Sequence, residues 1–368
     1  MTANRDLESI LRAHFETTAD RTTADRQVDA IAAATAGRRQ RPSWLASLRS
    51  YLMTTNIRSF GRPIAAPILG MLVIMALLIA IAAAAVLTGK VRLGPAPIVN
   101  GPIAFGRYDA ALDDTIIYMV RPDGSSARVL LPGANECPQI SPDGRRVALA
   151  FGVVDIDGSN KRDFPKGPGG VNLGCSTWSP DGKRLAVEGF NDHALALSGV
   201  YLVDATDGGN VVRLTTNGIG GNDVPGDFSP DGRWISFIRL PAGVDGQGTV
   251  WLAAVENGAT RQVTERTVGL GTAWSPDGEW IAATAGPAFV LVRPDGADEH
   301  VLNVPADVEW VTAPSFAPDG QRIVFSMKLK TAKNADIYSM NVNGTDLVNL
   351  TNTPNTNEYF TDWGIDPA

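Results

Sequence analysis

Acidic side chains recur in this sequence at a spacing that invites a catalytic reading. Asp143, Asp181, Asp231, Asp277 and Asp319 each stand third in a Ser-Pro-Asp-Gly or Ala-Pro-Asp-Gly tetrad. An aspartate acting as acid, base or nucleophile is needed once, in a cleft, beside a partner. These five share one position of a repeat, and turn geometry accounts for the tetrad. Pro presets φ at about −65°, Asp bonds its own backbone, and Gly takes a left-handed conformation without steric penalty. No catalytic residue is nominated among them. The chain has three histidines, His14, His193 and His300, far apart in sequence, and no G-x-S-x-G elbow, phosphate-binding loop or H-E-x-x-H pattern. "DIDGSN" from Asp155 resembles a calcium loop but lacks its twelve-residue spacing and terminal Glu, and its place in the repeat marks it as a hairpin turn. Neither a metal nor a cofactor is expected, and the chain is read as a non-enzyme.

The elements around the tetrads explain them. Tetrads begin at Ser141, Ser179, Ser229, Ser275 and Ala317, so successive starts are 38, 50, 46 and 42 residues apart. Each follows an apolar residue (Ile140, Trp178, Phe228, Trp274, Phe316) and precedes an alternating apolar run, a hairpin signature. A second hairpin follows each first one, as in "VYLVDATDGGNVVRLT". The repeat is thus a four-stranded antiparallel sheet, and such sheets bury both faces by packing radially on copies of themselves. The two ends of the region are complementary fragments. "NGPIAFGRY" matches the strand after the tetrad, and "NEYFTDWGIDPA" matches the strand before it, with Trp363 in the place of Trp178 and Trp274. One strand from the C-terminus completes three from the N-terminal end, which closes a ring of six blades.

On these residues the chain from about Asn100 to Ala368 resembles the TolB-type six-bladed β-propeller, built of WD-like repeats with a W-S-P-D-G signature. The resemblance implies an all-β propeller of a kind found in periplasmic binding proteins, beside peptidase domains and in lyases. Ahead of it stands no secreted α/β domain but an apolar segment.

That segment, Ile68 to Leu87, is twenty residues without a charge, about 30 Å as a helix and enough to span a bilayer. The expected organisation is a cytoplasmic helical segment over 1–63, a transmembrane helix over 64–88, a linker over 89–100 and the propeller over 101–368. A cleaved signal peptide is the competing reading. Arg38, Arg39, Arg41, Arg49, Arg58 and Arg62 precede the span and only Lys90 and Arg92 follow it closely, which places the N-terminus in the cytoplasm and the propeller outside a bacterial cell. Residues 1–63 carry a net charge of +4 and residues 101–368 a net −13. So acidic a propeller repels phosphate backbones, and nucleic acid is excluded as a partner. Leu7, Ile10, Leu11 and Phe15 share a helical face that could dock a cytoplasmic protein through residues 1–37. The layout resembles bacterial anti-sigma-like membrane proteins, although residues 1–63 lack the paired cysteines of their zinc form.

In a propeller the short Gly-based turns lie on one face and the long variable loops on the other, where binding resides. Residues just before each first strand point to the channel mouth and nominate Glu136, Asn172, Asp223, Glu309, Trp310 and Glu358 as ligand-binding candidates. Cys137 and Cys175 each lie four residues before the Ser of their tetrad, at equivalent sites in adjacent blades, and are expected to form a disulfide in an oxidising exterior. The favoured function is a membrane-anchored module that binds or senses a protein, peptide or glycan outside the cell. The alternative is an extracytoplasmic hydrolase or lyase using the channel mouth.

Overall fold

The computed structural model describes residues 98–367, save 134–136, 192, 219, 245 and 303. The segments expected as cytoplasmic helices and membrane span, 1–63 and 64–88, lie outside the described residues, as does Glu136. Among the described residues no helix is long and apolar enough to cross a membrane. The described residues form one compact unit, part of residues 96–368.

This unit is a ring of six antiparallel sheets. Blade 1 joins Asn100–Asp109 (β1), Asp114–Val120 (β2) and Arg128–Leu131 (β3) to a strand from the other end of the chain, introduced last. Blade 2 holds Gln139–Ile140 (β4), Arg146–Leu149 (β5), Gly152–Asp155 (β6) and Arg162–Asp163 (β7). Blade 3 holds Asn172–Trp178 (β8), Arg184–Phe190 (β9), Gly199–Asp204 (β10) and Val212–Arg213 (β11). Blade 4 holds Asp223–Phe228 (β12), Trp234–Arg239 (β13), Gln247–Ala254 (β14) and Thr260–Gln262 (β15), with the short Val268–Gly269 (β16) added on β14. Blade 5 holds Thr272–Trp274 (β17), Ile281–Ala285 (β18), Ala288–Val292 (β19) and Glu299–Leu302 (β20). Blade 6 holds Val308–Phe316 (β21), Arg322–Leu329 (β22), Asp336–Asn341 (β23) and Val348–Asn349 (β24). Glu358–Ile365 (β25) then pairs with β1, setting Trp363 opposite Ile103 and Asp362 opposite Ala104. The complementary fragments at the two ends of the repeat region thus make one blade.

Alternation along the strands assembles the ring. On β1, Ile103 and Phe105 pack with Ala317, Val324 and Ile337 of blade 6, whereas Ala104 packs with Ile140 and Val147 of blade 2. On β18, Ile281 and Ala283 face blade 4 and Ala282 faces blade 6. A strand buried on both faces must be apolar at both parities, and each blade boundary accordingly carries its own apolar cluster.

The tetrads are the turns between the first and second strands. Ser179 Oγ donates to Asp181 Oδ1 at 2.7 Å and accepts from the Arg184 N–H at 2.9 Å, while Asp181 also accepts from the Lys183 N–H at 3.1 Å. Ser229 and Ser275 repeat this arrangement with Asp231 and Asp277. The serine hydroxyl holds the carboxyls of Asp181, Asp231 and Asp277 below the usual carboxylate range. In blade 6, where Ala317 lacks that hydroxyl, Asn100 donates to Asp319 instead at 2.8 Å. Every one of the five tetrad aspartates has a structural partner.

Candidate functional site

The innermost strands, β25, β4, β8, β12, β17 and β21, surround a central channel, and equivalent residues on them form stacked rings. From the loop face inward, the first ring is Cys137, Cys175, Pro225, Gly271, Ala313 and Phe360, and the second is Pro138, Ser176, Gly226, Thr272, Pro314 and Thr361. All twelve line one cavity of about 360 Å³. Gln139, Asp227 and Ser315 from the next ring form its floor, and Glu188, Leu240 and Leu270 form its sides. Below the floor a second space of about 190 Å³ opens among Trp178, Trp274, Trp363 and the prolines of four of the tetrads, Pro142, Pro180, Pro230 and Pro276.

The first ring exists because the inner strands bulge. Register slips between Leu173 and Ser176 on β8, Pro225 and Phe228 on β12, and Thr312 and Ser315 on β21. Cys137, Ala313 and Phe360 hold positive φ of 55°, 50° and 54°, and Gly271 holds 90°. Bulges re-aim side chains, and left-handed backbone at non-glycine residues is strained. Here both recur at one level of the channel, four residues before the tetrad position.

Close packing between the rings leaves no slack. A Cβ added at Gly226 would stand 1.8 Å from the Thr272 hydroxyl of the next blade, so only glycine fits there. The disulfide expected from the repeat is present: Cys137 and Cys175 are bonded, with Cα atoms 5.5 Å apart, and pin blades 2 and 3 together at the cavity wall. Closing a loop over a sequence separation of 38 contributes roughly 2–4 kcal/mol.

Two aspartates occupy opposite positions in the third ring. Asp227 of blade 4 accepts from Thr177 Oγ1 of blade 3 at 3.1 Å and from the Trp274 N–H of blade 5 at 3.4 Å. Asp362 of blade 1 accepts from Ser315 Oγ of blade 6 at 3.1 Å and from the Ile140 N–H of blade 2 at 2.6 Å. Each carboxylate therefore ties three blades together. Burial pushes Asp227 up to about 7, helped by the charge of Asp362, and pushes Asp362 up to about 6. Asp227 retains partial access to solvent from the channel, whereas Asp362 is 9% exposed. Burial also raises Glu188, whose Oε1 accepts from Asn222 Nδ2 at 2.6 Å.

The residues nominated from the sequence stand elsewhere. Among the five that are described, none lines this cavity. Asp223 is fully buried in a two-point ion pair with Arg239, at 2.8 and 2.9 Å. Glu358, also fully buried, pairs with Arg107 at 2.7 Å and accepts from the Thr351 and Thr353 hydroxyls. Burial still leaves Glu358 above the ordinary glutamate value, although Thr351 and Arg107 pull it down. Glu309 pairs with Lys328 on the surface, Trp310 stacks on Tyr359, and Asn172 opens β8 opposite Phe190. The channel residues that sequence reasoning missed had one visible signal. The residue before each signature aromatic is the channel position, and it is Asp in "GDFSPDG" and "TDWGIDP".

No family model matches the chain. An uncharacterized protein of Agrobacterium fabrum is 31% identical over 165 residues, which cover 40% of this chain and 52% of that protein, so the chain spans about half the length of this relative. The crystal structure of TolB from Acinetobacter baumannii matches with a TM-score of 0.57 at 20% identity, over 72% of this chain and 66% of that one. A TolB-assigned protein of Agrobacterium tumefaciens matches with a TM-score of 0.53 at 19% identity, over 73% and 99%. A chain of the nidogen/laminin complex matches with a TM-score of 0.56 at 11% identity, over 72% and 98%. Likeness at these identities shows the fold: the described residues form a six-bladed β-propeller with TolB-like structural neighbours.

Proposed function

We propose that this chain is a non-catalytic binding or sensing module whose ligand sits in the mouth of the propeller channel. The observation that carries the reading is the bulged ring. Six inner strands depart from regular pairing or enter it late at one level, and the side chains they present enclose a cavity of about 360 Å³. Ligand sites of this kind are concave, largely apolar and furnished with a few convergent polar groups. Leu240, Leu270, Pro314 and Phe360 supply the apolar part, and Glu188 and Asp227 the polar one. A protein segment, peptide or glycan suits such a mouth. In this reading residues 64–88 span the membrane, the propeller lies outside the cytoplasm, and the helices expected over residues 1–37 carry the bound state to a cytoplasmic partner.

The test is a thermal-shift survey of peptides and oligosaccharides on the full chain. A ligand at about 100 times its Kd stabilises by roughly 3 kcal/mol. Shifts lost in both Leu270→Arg and Phe360→Ala support the seat, and shifts indifferent to both contradict it. A periplasm-dependent reporter fused after Ala368 should be active; inactivity refutes the orientation.

One observation favours a catalytic reading. Asp227 lines the cavity and is raised by burial to about 7, a proton affinity suited to a general acid or base near neutrality. Turnover of a glycan or ester by the full chain, abolished by Asp227→Asn, would establish it.

A further inference from the structure

The buried carboxylates of the inner strands and their neighbours are balanced in two ways. Asp223 and Glu358 each face a guanidinium, Arg239 and Arg107. Glu188 and Asp227 face the upper cavity, where no Lys, Arg or His stands among the described lining residues. Their hydrogen-bond donors are neutral: an Asn222 amide for Glu188, and the Thr177 hydroxyl and Trp274 backbone for Asp227. A carboxylate in a low-dielectric wall with neutral donors alone resists ionisation, and both groups are raised for that reason first.

A second, independent observation concerns a hydroxyl. Ser176 lines the same cavity and is 5% exposed, yet its Oγ has no hydrogen-bond partner. The equivalent hydroxyls of Thr272 and Thr361 are satisfied, by Ser236 Oγ at 2.8 Å and the Ala313 carbonyl at 2.5 Å. A buried polar atom left unpaired calls for a partner such as a water, an ion or a ligand group. The described lining of the cavity therefore carries carboxylates and an unpaired hydroxyl but no positive charge, while Leu240, Leu270 and Phe360 furnish hydrocarbon around them.

We infer that the channel mouth binds an alkylammonium group, of the kind carried by a lysine side chain, with its charge against Glu188 and Asp227 and its stem along the apolar wall. The inference rests on the mouth being the ligand seat and names what the seat selects. An ammonium suits it better than a guanidinium. Asn222 already occupies Oε1 of Glu188, so the flat two-point pairing that a guanidinium prefers is broken up, whereas an ammonium is a compact charge with three freely directed donors. The net −13 of residues 101–368 draws cations toward the propeller from a distance.

Calorimetry on the full chain in detergent, with n-hexylammonium and 1-hexanol as probes of equal length, tests the charge requirement. The expected result is at least tenfold tighter binding of hexylammonium. Glu188→Gln, which keeps shape and can retain the Asn222 contact, should reduce that advantage at least fivefold and leave hexanol unchanged, and Glu309→Gln should alter neither. N-acetyl-lysine amide and spermidine, measured in parallel, distinguish a protein-borne lysine from a free polyamine as the source of the group. Equal binding of hexanol and hexylammonium, or an advantage that survives Glu188→Gln, overturns the inference while leaving the seat intact. Failure of all three amines to bind overturns it as well, and if the survey ligands still respond to Leu270→Arg, the seat takes another chemistry.

Discussion

Blades 1 and 4 stand opposite each other in the ring and carry the same constellation. In blade 4, Asp223 pairs with Arg239, whose guanidinium lies 4.5 Å from the Trp251 ring centroid and 5.2 Å from that of Phe237. In blade 1, Glu358 pairs with Arg107, whose guanidinium lies 4.1 Å from Tyr118 and 5.6 Å from Phe105. Four residues after each acid comes the channel aspartate, Asp227 or Asp362. The difference is in connectivity. Blade 4 is continuous in sequence, whereas in blade 1 the acid and the arginine lie on strands from opposite ends of the propeller, 251 residues apart. The same side chains that brace an ordinary sheet in blade 4 therefore also close the ring in blade 1.

The largest test of that difference removes the closing strand. Deleting 357–368 takes away β25, with Glu358, Asp362 and Trp363, and leaves β1 as an open edge beside the exposed flank of blade 6. The expected product is aggregated, because an unpaired edge next to apolar surface recruits other chains. A truncated chain that melts cooperatively at the parent temperature would break the account of closure.

Smaller but more diagnostic is the pair Arg107→Ala and Arg239→Ala. Each strands a fully buried carboxylate, an outcome that costs about 3–5 kcal/mol. Denaturant unfolding should show both losses. Arg107→Ala should in addition raise the unfolding rate and the proteolytic sensitivity of β25, since the contact it removes holds a terminal strand. Equal kinetics for the two variants would show that closure draws nothing from this pair.

These comparisons also show why some of the molecule was legible in sequence and some was not. Closure was readable because a strand preceding a tetrad and a strand following one are recognisable as fragments, and Trp363 fell on the position of Trp178 and Trp274. The disulfide was readable because Cys137 and Cys175 share an offset from their tetrads. The mouth was not. Counting back along a straight strand brings Asp223 and Glu358 to the rim, but the bulges at Pro225/Phe228 and Ala104/Gly106 break the two-residue period, and residues inside the bulges (Gly226, Asp227, Phe360, Thr361) face the cavity instead. Glu188 carried no repeat-level signal at all, since it occupies a second-strand position held by Gly106 in blade 1 and Ile238 in blade 4. Nor could Arg239 be assigned to Asp223 without the register that sets them opposite each other.

The finest distinction between the two blades is electrostatic. Asp227 is raised to about 7 and Asp362 to about 6, both by burial first, with Asp362 adding its charge to Asp227. An unfolded aspartate titrates at about 4, so between that pH and the folded value the native state keeps a proton that the unfolded chain has released. Folding stability contributed by these groups is complete below pH 4 and falls as pH rises through 6 and 7. The tetrad aspartates, held low by their serines, act in the opposite direction but lose their contribution only below the ordinary aspartate range, outside this window. The full chain should therefore unfold at lower urea concentration at pH 8 than at pH 5, with these two sites accounting for up to about 4 kcal/mol. Asp227→Asn removes the larger of the two titrations and leaves the Thr177 hydroxyl a partner, so it should raise the pH 8 midpoint and flatten the profile. Asp362→Asn disturbs the short bond from the Ile140 N–H in the closing blade and should flatten the profile less while lowering the midpoint at both pH values. If both variants retain the parent slope between pH 5 and pH 8, the two aspartates stay ionised throughout and the opposition across the channel is structural alone.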